Sequence, residues 1–297
     1  MNNNQAGILQ APLGHSRYLS FHLEAGDNMQ EQAKSGLLKL LDITDGDRVV
    51  VGIGQSLLQA IDVSISGMRV FPAMTGAGFE VPSTPAALWC WLRGEDRGEL
   101  YHLGREIEQR LFPEFNLGQV LDGFIYGPSL DLTGYEDGTE NPKDDDAVSA
   151  AIISNQGKGM DGSSFVAVQQ WVHDLTLFED HSQQEQDHII GRQKSDNKEI
   201  DDAPASAHVK RTAQESFEPE AFILRRSMPW AEGTEAGLIF VAFGKSLDAY
   251  EVLLKHMVGV DDGIVDALFR FTRPVTGAYY WCPPMRGKKL DLSMLNL

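Results

Sequence analysis

Gly134-Tyr135-Glu136-Asp137-Gly138-Thr139-Glu140-Asn141-Pro142 is the stretch of this 297-residue chain most dense in residues that could do chemistry. Glycine, asparagine and proline set backbone shapes that other residues resist, and here they do so while presenting carboxylates. Such a segment is either a surface turn, with Asp137 and Asn141 bonding local backbone, or a site. Downstream, Arg225 is flanked by Ile223-Leu224 and by Met228-Pro229-Trp230, an apolar setting in which an unpaired charge is costly. A permanently charged guanidinium there can stabilise developing negative charge, or it can form an ordinary ion pair with one of 43 acidic residues. His208 opens His208-Val209-Lys210-Arg211-Thr212. By spacing alone it is no better a ligand than the other histidines.

Taken in chain order, these segments resemble the signatures of the dye-decolourising peroxidases. Gly134 to Gly138 is similar to their GxxDG loop, His208 to Arg211 to an H-x-x-R segment, and Ile223 to Pro229 to I-L-R-x-N/S-M-P. Phe271-Thr272-Arg273-Pro274-Val275-Thr276-Gly277, with Tyr279-Tyr280-Trp281-Cys282-Pro283 after it, resembles the family's closing strands. The likeness spans nearly the whole chain and is greatest to the compact bacterial class, called B or P. It implies a haem peroxidase that uses hydrogen peroxide to oxidise an unidentified organic donor, dyes included. The cofactor implied is haem b, held without a covalent bond, one per chain.

The roles implied by that resemblance fall on named positions. His208 is the axial iron ligand, Asp137 the distal proton shuttle and Arg225 the distal arginine. The other imidazole N–H should meet a carboxylate, which strengthens the ligand; Asp266 is the candidate, with Asp261 and Asp262 close by in sequence. A carboxyl in an apolar pocket has a raised pKa, whereas Arg225 beside Asp137 would lower it and keep it ionised. Arg211, one helical turn from His208, and Arg226 are read as partners of the haem propionates. Ser227 stands where some relatives carry Asn and could bond a distal water. Met257, Leu253, Phe240 and Phe269 are read as pocket lining, although such residues at these spacings are also ordinary core. Trp230, Trp281, Tyr279 and Tyr280 are candidates for oxidising bulky dyes at the surface, or else packing residues. The alternative reading is a haem-handling protein for storage, transport or iron release, which needs His208 and the pocket but not Asp137. A cofactor-free ferredoxin-like interaction protein is the third.

The elements that must position these residues read as α+β. Arg17 to Leu23, Ala87 to Leu92 and Phe165 to Val172 are strand candidates; Asn28 to Leu41, Arg105 to Leu111 and Gln183 to Ile190 carry helical spacing. Val49 to Leu57 is echoed by Ile239 to Leu247, each a β-branched or aromatic run followed by Gly-x-Ser-Leu. This is the rhythm of duplicated ferredoxin-like modules, antiparallel sheets flanked by helices, over residues 1–125 and 126–297 with haem in the second. Gly118 to Thr133 reads as the joint between halves. Gln193 to Ala207 is too polar to bury much surface and reads as a loop along the haem edge.

Net charge of −18 argues against nucleic acid and anionic membrane as partners. Cys90 and Cys282 form no C-x-x-C pattern, so neither a zinc site nor covalent haem attachment is readable. The first residues show no basic, apolar or twin-arginine export signal, and the two cysteines fit a reducing compartment, which gives a cytoplasmic expectation. A homo-oligomer is expected by analogy. An encapsulating shell partner has no support in the residues; the tail Lys288 to Leu297 reads better as a terminal strand than as a docking peptide.

Overall fold

Runs such as Val49–Gly54 and Leu88–Gly94 are apolar on both sides and must bury two faces. In the computed structural model, which describes residues 3–297 apart from Ala25, Asp27 and Ala77, they do so by forming a continuous antiparallel ladder with helices outside it. In the N-terminal half, β1 (His15–Leu23), β2 (Val49–Gly54), β3 (Leu88–Gly94) and β4 (Phe115–Phe124) pair in the order β2-β3-β1-β4. Helix α1 (Met29–Leu40) joins β1 to β2, and α2 (Arg97–Leu111) joins β3 to β4. The C-terminal half repeats that order. There β5 (Ser164–His173), β6 (Met228–Glu232), β7 (Glu235–Gly244) and β8 (Ala278–Cys282) run β8-β5-β7-β6, with α3 (Gln183–Ile190) and α4 (Asp248–Val258) in the connections. This is the ferredoxin-like arrangement used twice.

The two groups meet edge to edge. Tyr280 and Trp281 of β8 pair with Gly54 and Ile53 of β2, and Gly123 of β4 pairs with Trp230 of β6, so the ladder closes on itself. Alternation then sends one set of side chains inward and the other under the helices. Tyr18, Trp89, Trp91, Phe243 and Tyr280 form one cluster, their rings stacked at centroid distances of 5.8 to 6.4 Å. Leu19, Val51, Cys90, Phe165 and Trp281 belong to the other. Each fully buried large apolar side chain contributes roughly 1.5–3 kcal/mol.

Several sequence expectations need correction. The Val49–Leu57 run and its echo are not equivalent, because β2 is the second strand of its half and β7 the third. Helix α2 starts at Arg97 rather than near Arg105, since Asp96 caps it by accepting from Glu99 N at 2.8 Å. The joint between halves is shorter than Gly118 to Thr133, as β4 runs on to Phe124. Trp230, Trp281, Tyr279 and Tyr280 are all buried, which removes them from contact with a bulky dye. Residues 193 to 207 hold turns and no helix or strand beyond a bridge between Arg192 and Glu199.

Candidate active site

The Gly134–Pro142 loop is shaped by its own polar groups and then reaches across the fold. Gly138 has φ of +80°, and a Cβ there would lie 2.8 Å from Asn141 Nδ2. That amide has work to do elsewhere. Asn141 Oδ1 accepts from Arg225 N at 2.8 Å, and Asn141 Nδ2 donates to Arg225 O at 3.1 Å. The side chain thus imitates a neighbouring strand along one edge of Arg225, while Ala242 of β7 pairs with its other edge. The backbone from which the guanidinium projects is fixed on both sides.

His208 opens a short helix, His208–Arg211. Its Nδ1 lies 2.8 Å from Oδ2 of Asp266, whose side chain is fully buried. Asp266 is itself fixed: Oδ1 accepts from Leu268 N at 2.9 Å, and its backbone N donates to Met257 O at 2.8 Å. A carboxylate only accepts, so Nδ1 carries the hydrogen and the lone pair is left on Nε2. Nε2 has no hydrogen-bond partner among the described residues. The neighbouring acids are engaged elsewhere, Asp261 with His256 at 3.6 Å and Asp262 with Arg211 at 2.7 Å.

His208, Asp137 and Arg225 come together on one cavity of about 140 Å³. It lies against the outer face of the C-terminal sheet and under α4. Trp171, Leu238, Phe240, Leu253, Met257 and Phe271 supply apolar wall. Phe269, expected there, instead stacks on Phe79 at 4.0 Å. A second, polar recess of about 120 Å³ shares His208, Asp137 and Arg225 and adds Glu140, Arg192 and Glu199. The Gln193–Ala207 loop therefore does border the site, through Glu199.

Asp137 is half-buried, and burial raises its pKa above the usual Asp value, with Asp131 adding to the rise while Arg225 and His208 oppose it. The net direction corrects the expectation that Arg225 would hold it low: desolvation outweighs the cation. Asp137 and Arg225 form no direct ion pair among the described residues, and Arg225 Nε is buried without a partner. Both groups are thus left available to something in the cavity.

Three expected cofactor contacts point away. Arg211 is buried and forked onto Asp262, at 2.7 and 2.9 Å, and also donates to His256 O. It holds the Asp262 carboxyl down to about 2. Arg226 turns to the N-terminal segment, donating to Ile8 O at 3.1 Å and to Leu9 O, and burial lowers its pKa to about 10. Ser227 Oγ accepts from Val241 N at 3.3 Å. None of the three lines the cavity, whereas Met257 does.

Residues 129–287 match the family model described as Dyp-type peroxidase, C-terminal. The chain belongs to the dye-decolourising peroxidase family. It is 31% identical over 263 residues to the dye-decolorizing peroxidase of Mycobacterium tuberculosis, covering 84% of this chain and 78% of that one. Among solved structures it is similar to DyPB from Rhodococcus jostii RHA1, with TM-score 0.84 and 27% identity over 94% of this chain and 96% of that one. The dye-decolorizing protein from V. cholerae gives TM-score 0.84 and 26% identity over 98% of both chains. A variant of the R. jostii protein in complex with heme gives TM-score 0.85 and 27% identity over 94% and 96%. Every residue lining the main cavity, from Asp131 to Thr272, falls inside the matched region.

This dye-decolourising peroxidase also places residues in the cavity that its sequence did not single out. His173 is the cavity's other histidine, with Nδ1 at 2.6 Å from Thr272 Oγ1 and Nε2 at 3.1 Å from Asp131 Oδ1. Gln169 is buried; its Oε1 accepts from Tyr250 OH and from Trp171 Nε1, which fixes the amide and leaves Nε2 a buried donor without a partner. The available signal was strand alternation, since Gln169, Trp171 and His173 share one face of β5.

Proposed function

We propose that the cavity binds haem b through His208 Nε2 and that the chain uses it as a peroxidase, oxidising organic donors with hydrogen peroxide. The observation that carries this is a difference between two histidines. Of those lining the cavity, His173 has both ring nitrogens engaged, while His208 has its Nδ1 hydrogen on Asp266 and its Nε2 lone pair unengaged. The fit extends to the remaining wall: an apolar enclosure, an orphaned guanidinium nitrogen on Arg225 and an orphaned amide on Gln169. When bound, haem supplies the redox chemistry for which none of these side chains has the electrons. Asp266 orients the His208 ring and strengthens its donation to a metal. Asp137 takes a proton of the peroxide onto its carboxylate and returns it to the departing oxygen, a task suited to a carboxyl whose pKa has been raised toward neutrality. Arg225 stabilises the negative charge on that oxygen, and the backbone that carries it is already fixed by Asn141, which limits the reorganisation needed when the charge appears. The two buried free thiols, Cys90 and Cys282, support a reducing, cytoplasmic setting.

The test is to load the chain with one equivalent of haem and follow bleaching of an anthraquinone dye with and without hydrogen peroxide. Peroxide-dependent bleaching proportional to haem-loaded protein is expected. A chain that took up haem and left both peroxide and dye unchanged would be a haem carrier.

A further inference from the structure

Arg225 is tied down by a further group besides Asn141 and β7. The next residue, Arg226, folds its guanidinium back, and Nη1 donates to Arg225 O at 3.1 Å, the carbonyl that Asn141 Nδ2 also reaches. Its Nε donates to Ile8 O at 3.1 Å and its Nη2 to Leu9 O at 2.5 Å. These two carbonyls end the short helix Ala6–Leu9, where a cation meets acceptors that the helix itself cannot satisfy. Arg226 is buried, and among the described residues it bonds backbone oxygens with no carboxylate beside it. Burying such a charge is costly, and what it does is hold two distant segments together. The N-terminal segment is itself anchored. Gln5, fully buried, accepts from Val51 N at 2.8 Å and donates to Val51 O at 2.9 Å and Pro283 O at 3.0 Å, while Gly7 N donates to Gly46 O at 2.8 Å. Ile8 packs in one cluster with Ala147 and Ala151 of the helix Asp144–Ala151, which follows the Asn141 loop.

We propose that Arg226 is a positioning residue for the reaction with peroxide: together with residues 5–9 it forms a brace that holds the Arg225 backbone and so aims the Arg225 guanidinium into the cavity. The inference rests on the part given to Arg225 above. Arg225 Nε is buried without a partner and its guanidinium forms no ion pair among the described residues, so its aim is set from the backbone end. Arg226 N donates to Val241 O at 2.8 Å, so β7 holds the main chain of Arg226 while its side chain holds the carbonyl of Arg225. Burial lowers the Arg226 pKa only to about 10, which leaves the side chain charged near neutral pH and its three bonds charge-assisted. Placement at this level matters, because a misplacement of about 1 Å at a catalytic group can cost about hundredfold in rate.

Arg226→Met and Arg226→Lys test this: the first removes the fork and the charge, and the second keeps the charge but cannot reach three carbonyls at once. In the haem-free chain, hydrogen–deuterium exchange at the Arg225 amide, which Asn141 Oδ1 holds, should rise about tenfold in both variants. In the haem-loaded chain both should keep the wild-type Soret band, and stopped-flow mixing with hydrogen peroxide should give a rate about tenfold below wild type. With Arg225→Leu already present, Arg226→Met should add no further loss, because no guanidinium is left to aim. Wild-type exchange and rate in Arg226→Met, a wild-type rate in Arg226→Lys, a further loss in the double variant, or a Soret band lost along with the rate would each overturn the brace and leave the part of Arg225 standing. A wild-type rate in Arg225→Leu would instead remove Arg225 from the chemistry, and the brace with it.

Discussion

His208→Ala should lose haem, with affinity falling at least about hundredfold, because disrupting a ligand's outer partner alone costs up to that much. Nothing nearby can replace the imidazole without loss. His173 would have to give up Thr272 or Asp131, and His188 and His256 lie outside the cavity. The substitution also strands Asp266, a fully buried carboxylate left with the Leu268 N–H, at a cost of about 1–3 kcal/mol or more. The variant should therefore melt lower even without haem, and the double change His208→Ala with Asp266→Ala should recover part of that loss while still failing to bind. Haem titration followed at the Soret band measures the first effect and thermal unfolding the second. Full occupancy with an unshifted band in His208→Ala would show the ligand to be another residue, and His173 would be the next to replace.

Arg225→Leu and Asp137→Asn should both keep haem and slow its reaction with peroxide. Arg225→Leu removes the charge that meets the departing oxygen, and a loss of about hundredfold is expected from the removal of one such preorganised donor. Asp137→Asn keeps the shape and removes the base, with a loss of about tenfold or more. The pH dependence separates the two. Because the folded Asp137 pKa is raised, the wild-type rate should fall with acid at a higher pH than an ordinary Asp would give, and Asp137→Asn should abolish that fall. Linkage adds a sign: the folded chain holds a proton that the unfolded chain has already released, so ionised Asp137 costs stability as pH rises toward neutral, and Asn should raise the melting point of haem-free protein there. Stopped-flow mixing with peroxide across pH reads the rates. Wild-type rates in both variants would remove these residues from the chemistry.

The parts of the fold and site that were readable in the sequence are those carried by local pattern. Gln183 to Ile190 carries helical spacing, and the helix occupies that span, capped by Ser182 and closed by Gly191. Asp137, His208 and Arg225 sit in segments with family-like wording, and all three reach one cavity. Asp266 could not be told from Asp261 or Asp262 by spacing, because the choice depends on how the chain turns after α4. The misreadings share a cause in long-range pairing. Arg226 lies beside Arg225 in sequence, but strand alternation sends neighbours to opposite sides, and Arg226 meets Ile8 and Leu9 across more than two hundred positions, while Ser227 is taken by Val241 N of β7. The aromatic candidates for surface oxidation lie where the ladder closes, Tyr280 and Trp281 at the β8–β2 pairing and Trp230 at the β4–β6 pairing, and no local periodicity announces either.

The account depends most on which atom holds the cofactor. A crystal structure of the haem-loaded protein should show iron bound by His208 Nε2, with Nδ1 still on Asp266 and with Asp137 and Arg225 facing the iron's open coordination position. Haem seated elsewhere, or iron bound by His173 with its contacts to Asp131 and Thr272 broken, would contradict it.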